Sequence, residues 1–260
     1  MAVTAGEKFL EESRHHRQAG GVARQPAEPA EPAEPTQPAQ PAPAAAAPAA
    51  AAPAEAAVEL PQPRRGGGAS LWRMLQERRS IRAYTRSPLS LEELGQLLWA
   101  QNGRLGVPGP KDRRTAPSAG ARYAIETYAV VNNVAGVAPG LYCYDTRGHC
   151  LVPRRLGDLA QAVAAAAFDQ GMAAQAALVL AWVAVADRTC ARYGQRGYRY
   201  LFLDTGHVGQ NLHLAVAAMG LGCCMVGSFY DDEMNAFIGV DGAREVVLYM
   251  ATVGRPAAGV

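Results

Sequence analysis

The sequence lacks the features that mark secreted, membrane and nucleic-acid-binding proteins. Its net charge is only +2, with mixed signs along the chain, so charge gives no reason to expect nucleic acid or an anionic membrane as a partner. The first residues are charged and contain no apolar signal core. The longest apolar run, 173–186, carries Gln175 and is too short to span a bilayer. We therefore expect a cytoplasmic protein that contacts neither nucleic acid nor membrane.

Cysteine and histidine are too few and too scattered to indicate a metal site or a disulfide framework. The five cysteines are an odd number without C-x-x-C spacing. His207 and His213 lie six residues apart, whereas paired helix ligands are usually four apart. We assign no metal. The adjacent Cys223 and Cys224 have no basic neighbour in sequence to activate a thiol, so we interpret them as packing residues.

Proline, by contrast, is plentiful and concentrated. Eleven of the 18 prolines lie within residues 26–63, and in the first part of this stretch one recurs every third residue, the period of a polyproline II helix. Mixed with Ala, Glu and Gln, such a stretch has little apolar surface to bury. The sequence therefore predicts a short N-terminal leader helix over 1–19, an Ala/Pro-rich disordered linker over 20–69 and one folded domain over 70–260.

Apolar periodicity predicts helices and strands that interleave within the domain. Ser90 and Glu93 form a capping box that begins a helix, and Gly103 ends it. The Val-rich run Ala177–Ala186 is typical of a strand covered on both faces. The other predicted elements are a first helix ending near Arg79, strands over Ile125–Val131, Leu141–Tyr144, Cys150–Val152, Leu221–Phe229 and Glu245–Val253, and helices over Leu156–Phe168, Tyr198–Met219 and Asp231–Ile238. The pattern indicates an α+β or α/β domain.

The densest group of chemically active residues is the run Arg78-Arg79-Ser80-Ile81-Arg82. Planar guanidinium groups and a serine hydroxyl suit a phosphate group. The alternative is a solvated basic helix end, because cations near a helix C-terminus interact favourably with its dipole.

Two stretches of small residues complete the candidates from composition. The run Pro117-Ser118-Ala119-Gly120 allows a flat ring to lie against the backbone, although a plain turn is the better explanation of this run alone. Gly227 follows an apolar strand and leaves its backbone N–H free to reach an acceptor. Gly206 and Gly209 within the long helix suit close approach of another backbone at a subunit interface, or an ordinary buried helix.

Five segments in order resemble the nitroreductase superfamily, and most closely its SagB-type branch, which includes the azoline dehydrogenases of thiazole and oxazole peptide maturation. The segments are R-R-S-I-R-A-Y at 78–84, P-S-A-G-A-R-Y-A-I-E-T-Y at 117–128, Y-R-Y-L-F-L-D-T-G-H-V-G-Q-N-L at 198–212, G-L-G-C-C-M-V-G-S-F at 220–229 and V-G-R-P at 253–256. The opening K-F-L-E-E-S-R-H-H-R also resembles the short leader of that branch.

The resemblance implies a nitroreductase-like three-layer α/β/α sandwich and a domain-interlocked homodimer with two FMN sites at the subunit interface. It implies that the phosphate, ribityl chain and pyrimidine edge of FMN contact the first basic run. It also implies that the two small-residue stretches flank the isoalloxazine, with Ser118–Gly120 often reaching it from across the interface and Gly227 near N5. The implied cofactor-binding residues are Arg78, Arg79, Ser80, Arg82, Pro117, Ser118, Ala119, Gly120, Met225, Val226, Gly227 and Arg255. Among these, Arg79 is a weaker candidate, and Arg255 lies where the family's C-terminal segment returns toward the phosphate.

The azoline dehydrogenases typically carry a Lys-Tyr pair just before the long helix as proton-transfer groups. Here the corresponding residues are Arg192 and Tyr193, which are therefore the implied catalytic pair. Arginine stays protonated and is a poor general base, whereas the tyrosine hydroxyl can exchange a proton. A solvated loop pair is the alternative interpretation.

The leading functional hypothesis is an FMN-dependent oxidoreductase with two-electron transfer at flavin N5. In the SagB-like version, a peptide or small heterocyclic substrate is dehydrogenated and oxygen reoxidises the flavin. The alternative is an NAD(P)H-dependent nitroreductase or quinone reductase, which runs the opposite half-reaction. A third possibility from another class is a non-catalytic flavin- or peptide-binding component of a maturation complex.

Overall fold

The computed structural model describes residues 5–16, 56–107 and 113–259. Its helices are α1 (Ala5–Glu12), α2 (Leu71–Glu77), α3 (Leu91–Asn102), α4 (Ala160–Ala166), α5 (Gly171–Gln175), α6 (Ala186–Tyr193), α7 (Arg196–Ala218) and α8 (Asp231–Ile238), with a 3-10 turn at Ala119–Ala121. Its strands are β1 (Val58–Glu59), β2 (Ile125–Val131), β3 (Gly140–Asp145), β4 (Cys150–Leu156), β5 (Leu178–Val185), β6 (Gly222–Val226) and β7 (Glu245–Gly254). Among the residues described, no helix is both long and apolar enough to cross a membrane.

The strands form one antiparallel sheet in the order β1-β4-β3-β2-β5-β7-β6. The interior strand β5, between β2 and β7, is buried along almost its whole length. Its side chains alternate, so that Leu180 and Trp182 belong to one apolar cluster and Val179 and Val183 to another. Residues of α3 and α7 join the first cluster, and residues of α4 and α8 join the second. This is a three-layer sandwich, and the predicted α+β class with its α/β/α layers is confirmed; the homodimer stays a prediction.

Several predicted element boundaries were wrong; for example, the strand predicted over Leu221–Phe229 is β6 and ends at Val226. The first helix ends at Glu77 rather than near Arg79, because the chain then runs beside β6, where the Ile81 N–H donates to the Cys223 carbonyl oxygen (2.8 Å). The helix predicted over Leu156–Phe168 is the shorter α4, because β4 continues to Leu156, which lies opposite Gly140 of β3. The end of β4 is basic and exposed, so it lacks the alternation of apolar residues that would identify a strand in the sequence.

The described part of the predicted linker packs against the domain. Val58 and Glu59 pair with β4 as an edge strand, and Leu60 is buried. The N–H of Leu60 donates to the His149 carbonyl oxygen (3.2 Å), and His149 Nε2 bonds the Pro61 carbonyl oxygen (3.0 Å). Residues 58–61 therefore belong to the folded body, while the predicted-linker residues 20–55 lie outside the described residues. Of the predicted leader over 1–19, the structure describes 5–16, which is helical over α1.

Candidate functional site

The first basic run has a fixed backbone. A side chain at Gly222 of β6 would approach Ile81 to 2.7 Å, so the two segments lie against each other. The buried Tyr84 hydroxyl donates to the Ile81 carbonyl oxygen (2.6 Å) and lies 2.7 Å from Thr252 Oγ1. Burial raises the pKa of Tyr84, so this hydroxyl stays protonated as a donor. The guanidinium groups therefore extend from an anchored strand-like segment.

The charges of this run are not neutralised by the described part of the chain. Arg79 and Arg82 are exposed and Arg78 is half-buried, and among the described residues no carboxylate lies within ion-pair distance of the three. His213 Nε2 lies 3.1 Å from the Arg79 carbonyl oxygen, which can only accept, so this nitrogen donates. Burial lowers the pKa of His213, and the Arg78 charge acts in the same direction. A neutral histidine thus supports a cationic surface suited to an anion.

Arg82 also lies against the thiol of Cys224, a basic neighbour that sequence spacing does not reveal. Burial nevertheless raises the pKa of Cys224, with Arg82 opposing the rise. Burial also raises the pKa of Cys223. Both thiols are buried in the sheet, which supports their interpretation as packing residues.

The run of small residues after Pro117, itself exposed, is tied to α7 by a carboxylate that the sequence analysis missed. Ser118 Oγ donates to Asp204 Oδ2 (2.6 Å), and the Ala119 N–H donates to Asp204 Oδ1 (3.1 Å). Ser118 Oγ in turn accepts from the Tyr123 N–H (2.8 Å). Asp204 is 5% exposed, and burial raises its pKa while these hydrogen bonds oppose the rise. The only sequence signal was an acidic residue in an otherwise apolar stretch of helix.

Tyr193 lies beside this loop, at the end of α6. Gly120 has φ +59°, and a methyl group at this position would collide with the Tyr193 hydroxyl. The Arg192 guanidinium carbon lies 5.5 Å from the centroid of the Tyr193 ring, and Tyr200 packs edge-to-face against the same ring at 5.0 Å. The structure thus brings the implied catalytic pair and Gly120 together.

The second small-residue stretch lies at the end of β6, next to the middle of α7. A methyl group at Gly209 would approach Met225 Cε to 2.7 Å, so the helix passes close to the strand here. Val226 is buried on the opposite face of the sheet, in the cluster of α4 and α8, and has only backbone atoms to offer on the α7 face. Gly227 is exposed and makes no backbone hydrogen bond within the described part of the chain.

Arg255 differs from Arg78, Arg79 and Arg82 because a carboxylate neutralises it. Its Nη2 atom lies 2.9 Å and 3.1 Å from the two carboxylate oxygens of Glu93, the capping-box residue of α3, and its Nε donates to the Pro88 carbonyl oxygen (3.1 Å). The backbone of Arg255 accepts from the Thr85 N–H (2.8 Å). In this structure, Arg255 joins the C-terminal strand to α3.

Helix α7 connects the three predicted segments. Asp204 holds the loop of Ser118, Gly209 lies against Met225, and His213 supports the basic run. Asp204 and His213 are nine residues apart, which is about 14 Å along a helix at 1.5 Å per residue. The segments therefore follow one another along one helix, with cations at one end and Tyr193 at the other.

Known proteins match this chain over most of the folded body. A model of the nitroreductase family matches residues 75–255. MJ1384 of Methanocaldococcus jannaschii, a protein named as a nitroreductase, is 39% identical over 182 residues, which cover 70% of this chain and 89% of MJ1384. TfxC of Rhizobium leguminosarum bv. trifolii, a trifolitoxin operon protein, is 26% identical over 195 residues. That alignment covers 69% of this chain and 54% of TfxC, so the chain spans about half of this relative.

The fold also occurs in a solved assembly. A chain in the structure of the E. coli microcin synthetase McbBCD complex with truncated pro-MccB17 bound has a TM-score of 0.61 and 22% sequence identity, over 70% of each chain. This likeness shows the fold. The resemblance predicted from the five sequence segments is confirmed by the family match, which includes the first four segments and most of the fifth. The chain belongs to the nitroreductase family.

Proposed function

We propose that this nitroreductase-family oxidoreductase binds FMN and uses it for two-electron transfer at flavin N5. The observation that carries the proposal is the basic run, which has no carboxylate partner among the described residues and lies beside α7, as Met225 and Tyr193 do. The basic run suits a phosphate, and the small-residue stretches around Gly120 and Gly227 suit a flat ring. When bound, FMN would supply the electron-accepting ring.

The residues at the phosphate end fit an anion. Arg78, Ser80 and Arg82 are the proposed ligands of the phosphate, ribityl chain and pyrimidine edge, and the exposed Arg79 adds charge nearby. We give Arg255 a supporting role only, because Glu93 already occupies its guanidinium group. The positive charge of the run would also favour the negative charge that a reduced ring carries near its pyrimidine edge.

The residues at the ring end fit a flat group. Asp204 occupies the Ser118 hydroxyl and the Ala119 N–H, so the loop presents its small side chains and the Gly120 backbone rather than free donors. On the other side, Met225 offers an apolar side chain and Gly227 an exposed N–H to a ring acceptor. We therefore propose Ser118–Gly120 and Met225–Gly227 as the two walls of the ring site.

Tyr193 is the proposed proton-transfer residue. Oxidation of an azoline ring removes two electrons and two protons: the flavin would accept the electrons with one proton as hydride, and the Tyr193 oxygen beside Gly120, once its own proton has passed to solvent, can accept the other. Arg192 remains protonated, so its role is electrostatic: it lies over the Tyr193 ring and favours negative charge that develops there.

For the substrate, we propose an azoline heterocycle of a peptide. The support is the relationship to a trifolitoxin operon protein and the shared fold with a microcin synthetase complex that holds truncated pro-MccB17. The same relatives support partners in a maturation complex. If such a partner performs the oxidation, this protein has a flavin- or peptide-binding role without turnover of its own.

A second candidate is an NAD(P)H-dependent nitroreductase or quinone reductase. Two observations favour it: 39% identity to a protein named as a nitroreductase, and Arg192 in place of the lysine of azoline dehydrogenases. Anaerobic mixing of the FMN-loaded protein with NADPH separates the candidates. Rapid bleaching of the flavin absorbance supports the reductase, whereas a flavin that bleaches only with an azoline peptide supports the dehydrogenase. A flavin that is reduced neither by NADPH nor by an azoline peptide supports the non-catalytic role.

We also propose that the protein is a homodimer. Helix α2 buries only Met74 and exposes large apolar side chains, with Leu71 55% and Trp72 78% exposed. On α7, Leu203 is 54% exposed. Such apolar surface on two helices is typical of a protein interface. Sedimentation at several protein concentrations tests the dimer, and a strictly monomeric protein contradicts it.

A further inference from the structure

The N-terminal helix α1 packs against α7 through its apolar side. Leu10 is buried, and the Phe9 ring meets the Phe202 ring edge-on, with centroids 5.7 Å apart. Gly6 lies against the Tyr198 ring so closely that a methyl group there would collide with it. A helix of eight residues is unstable alone in water, so its stability depends on these contacts.

Polar contacts hold both ends of this segment. At its start, the Gly6 N–H donates to Gln195 Oε1 (2.8 Å). After the helix, the His15 N–H donates to Asp231 Oδ2 (2.7 Å), and the Asp231 N–H donates to the His15 carbonyl oxygen (3.0 Å). Arg14 contacts Asp232 and the Gly242 carbonyl oxygen. The segment 5–16 is thus clamped at α7 and at the start of α8.

The docked segment borders a cavity that Gly227 also lines. Phe9, Leu10 and Ser13 line this cavity of about 200 Å³ together with Gly227 and Phe229. The volume is smaller than the roughly 300–1,000 Å³ of pockets that enclose drug-sized ligands. The cavity therefore leaves less room than a drug-sized substrate needs.

We propose that the segment 5–16 is a lid that closes the Gly227 end of the active site and excludes large substrates from it. This inference rests on the proposed function, because Gly227 is the residue proposed to face the flavin edge. The element that covers this part of α7 is the protein's own N-terminal helix, α1, which docks intramolecularly. Substrate specificity then depends on residues 5–16, which are far in sequence from Gly227.

The lid is tested by hydrogen exchange on the full-length protein. Leu10→Glu places a carboxylate in the apolar contact, and Glu11→Lys changes charge on the exposed face of the same helix as a matched control. We expect amides of 5–16 to exchange at least roughly tenfold faster in Leu10→Glu than in the wild type, and at the wild-type rate in Glu11→Lys. Equal exchange in wild type and Leu10→Glu would overturn the lid.

A size-dependent reaction tests its role. Dithionite-reduced, FMN-loaded protein is mixed with 1,4-benzoquinone or with the larger anthraquinone-2-sulfonate, each of which takes two electrons and two protons to become a hydroquinone. We expect Leu10→Glu to raise the large-to-small ratio of rate constants by roughly tenfold, in line with its exchange. An unchanged ratio overturns the exclusion of large substrates. Failure of FMN uptake overturns the proposed function instead, and the exchange experiment still decides whether the lid docks.

Discussion

Asp204 is predicted to set the position of the loop that carries Gly120, and its removal has a calculable cost. In Asp204→Ala, Ser118 Oγ and the Ala119 N–H lose their acceptor. Hydrogen bonds to charged groups contribute about 1.5–3 kcal/mol each, but both donors are only half-buried, so water replaces part of the loss. Removing a carboxylate whose burial is unfavourable offsets another part. We expect the free energy of unfolding to fall by about 2 kcal/mol.

Asp204→Asn separates the acceptor from the charge. Its amide oxygen can accept from the Ala119 N–H, and its amide nitrogen can donate to Ser118 Oγ, which has a lone pair besides the one used by Tyr123. Because the geometry survives, we expect a loss below about 1 kcal/mol. Gln210→Ala, on the exposed side of the same helix, is the matched control and should change stability by less than about 0.5 kcal/mol.

Urea unfolding followed by far-ultraviolet circular dichroism, at one fixed protein concentration, measures the three variants. The reasoning is refuted if Asp204→Ala and Asp204→Asn lose the same free energy, or if Asp204→Ala loses no more than Gln210→Ala. Either result would mean that the carboxylate does not hold the loop.

Three further predictions concern the same end of α7. Gly120→Ala should destabilise the fold by about 1–3 kcal/mol in urea unfolding, from its positive φ and the collision with Tyr193, and part of this loss should disappear in the double variant with Tyr193→Phe. Tyr193→Phe alone should lower turnover by roughly 100-fold or more while FMN stays bound, and unchanged turnover would make Tyr193 a bystander. Burial raises the pKa of Asp204, so the stability that this residue contributes is full below its ordinary pKa and is lost as pH rises through its raised pKa. The free energy of unfolding of the wild type should therefore fall relative to that of Asp204→Asn from about pH 4 upward. A difference that does not change with pH would contradict this.

Where local signals were strong, the sequence predicted the fold well. The Ser90 capping box is present with both hydrogen bonds and begins α3, and α8 has the predicted bounds, 231–238. The run predicted as a strand covered on both faces is β5, in the interior of the sheet. These elements depend on residues within a few positions of one another, so their patterns are visible in a single sequence.

Features that depend on distant partners were not predictable. Arg255 binds Glu93 from 162 residues away, and Asp204 reaches Ala119 from 85 residues away. A charged side chain in the sequence does not reveal whether a partner neutralises it, and this decides whether it can serve a phosphate. The two-residue edge strand β1 was missed for a related reason, because its stabilisation comes from pairing with β4 rather than from its own composition.

The central claim is that the basic run of 78–82 holds FMN, and a visible absorbance spectrum tests it most directly. The purified full-length protein is incubated with FMN and separated from free flavin by gel filtration. We predict a flavin band at one FMN per chain, lost in the double variant Arg78→Ala/Arg82→Ala and kept in Arg86→Ala, an exposed arginine close by in sequence. A colourless wild-type protein after FMN incubation, or full flavin occupancy in the double variant, would contradict the account.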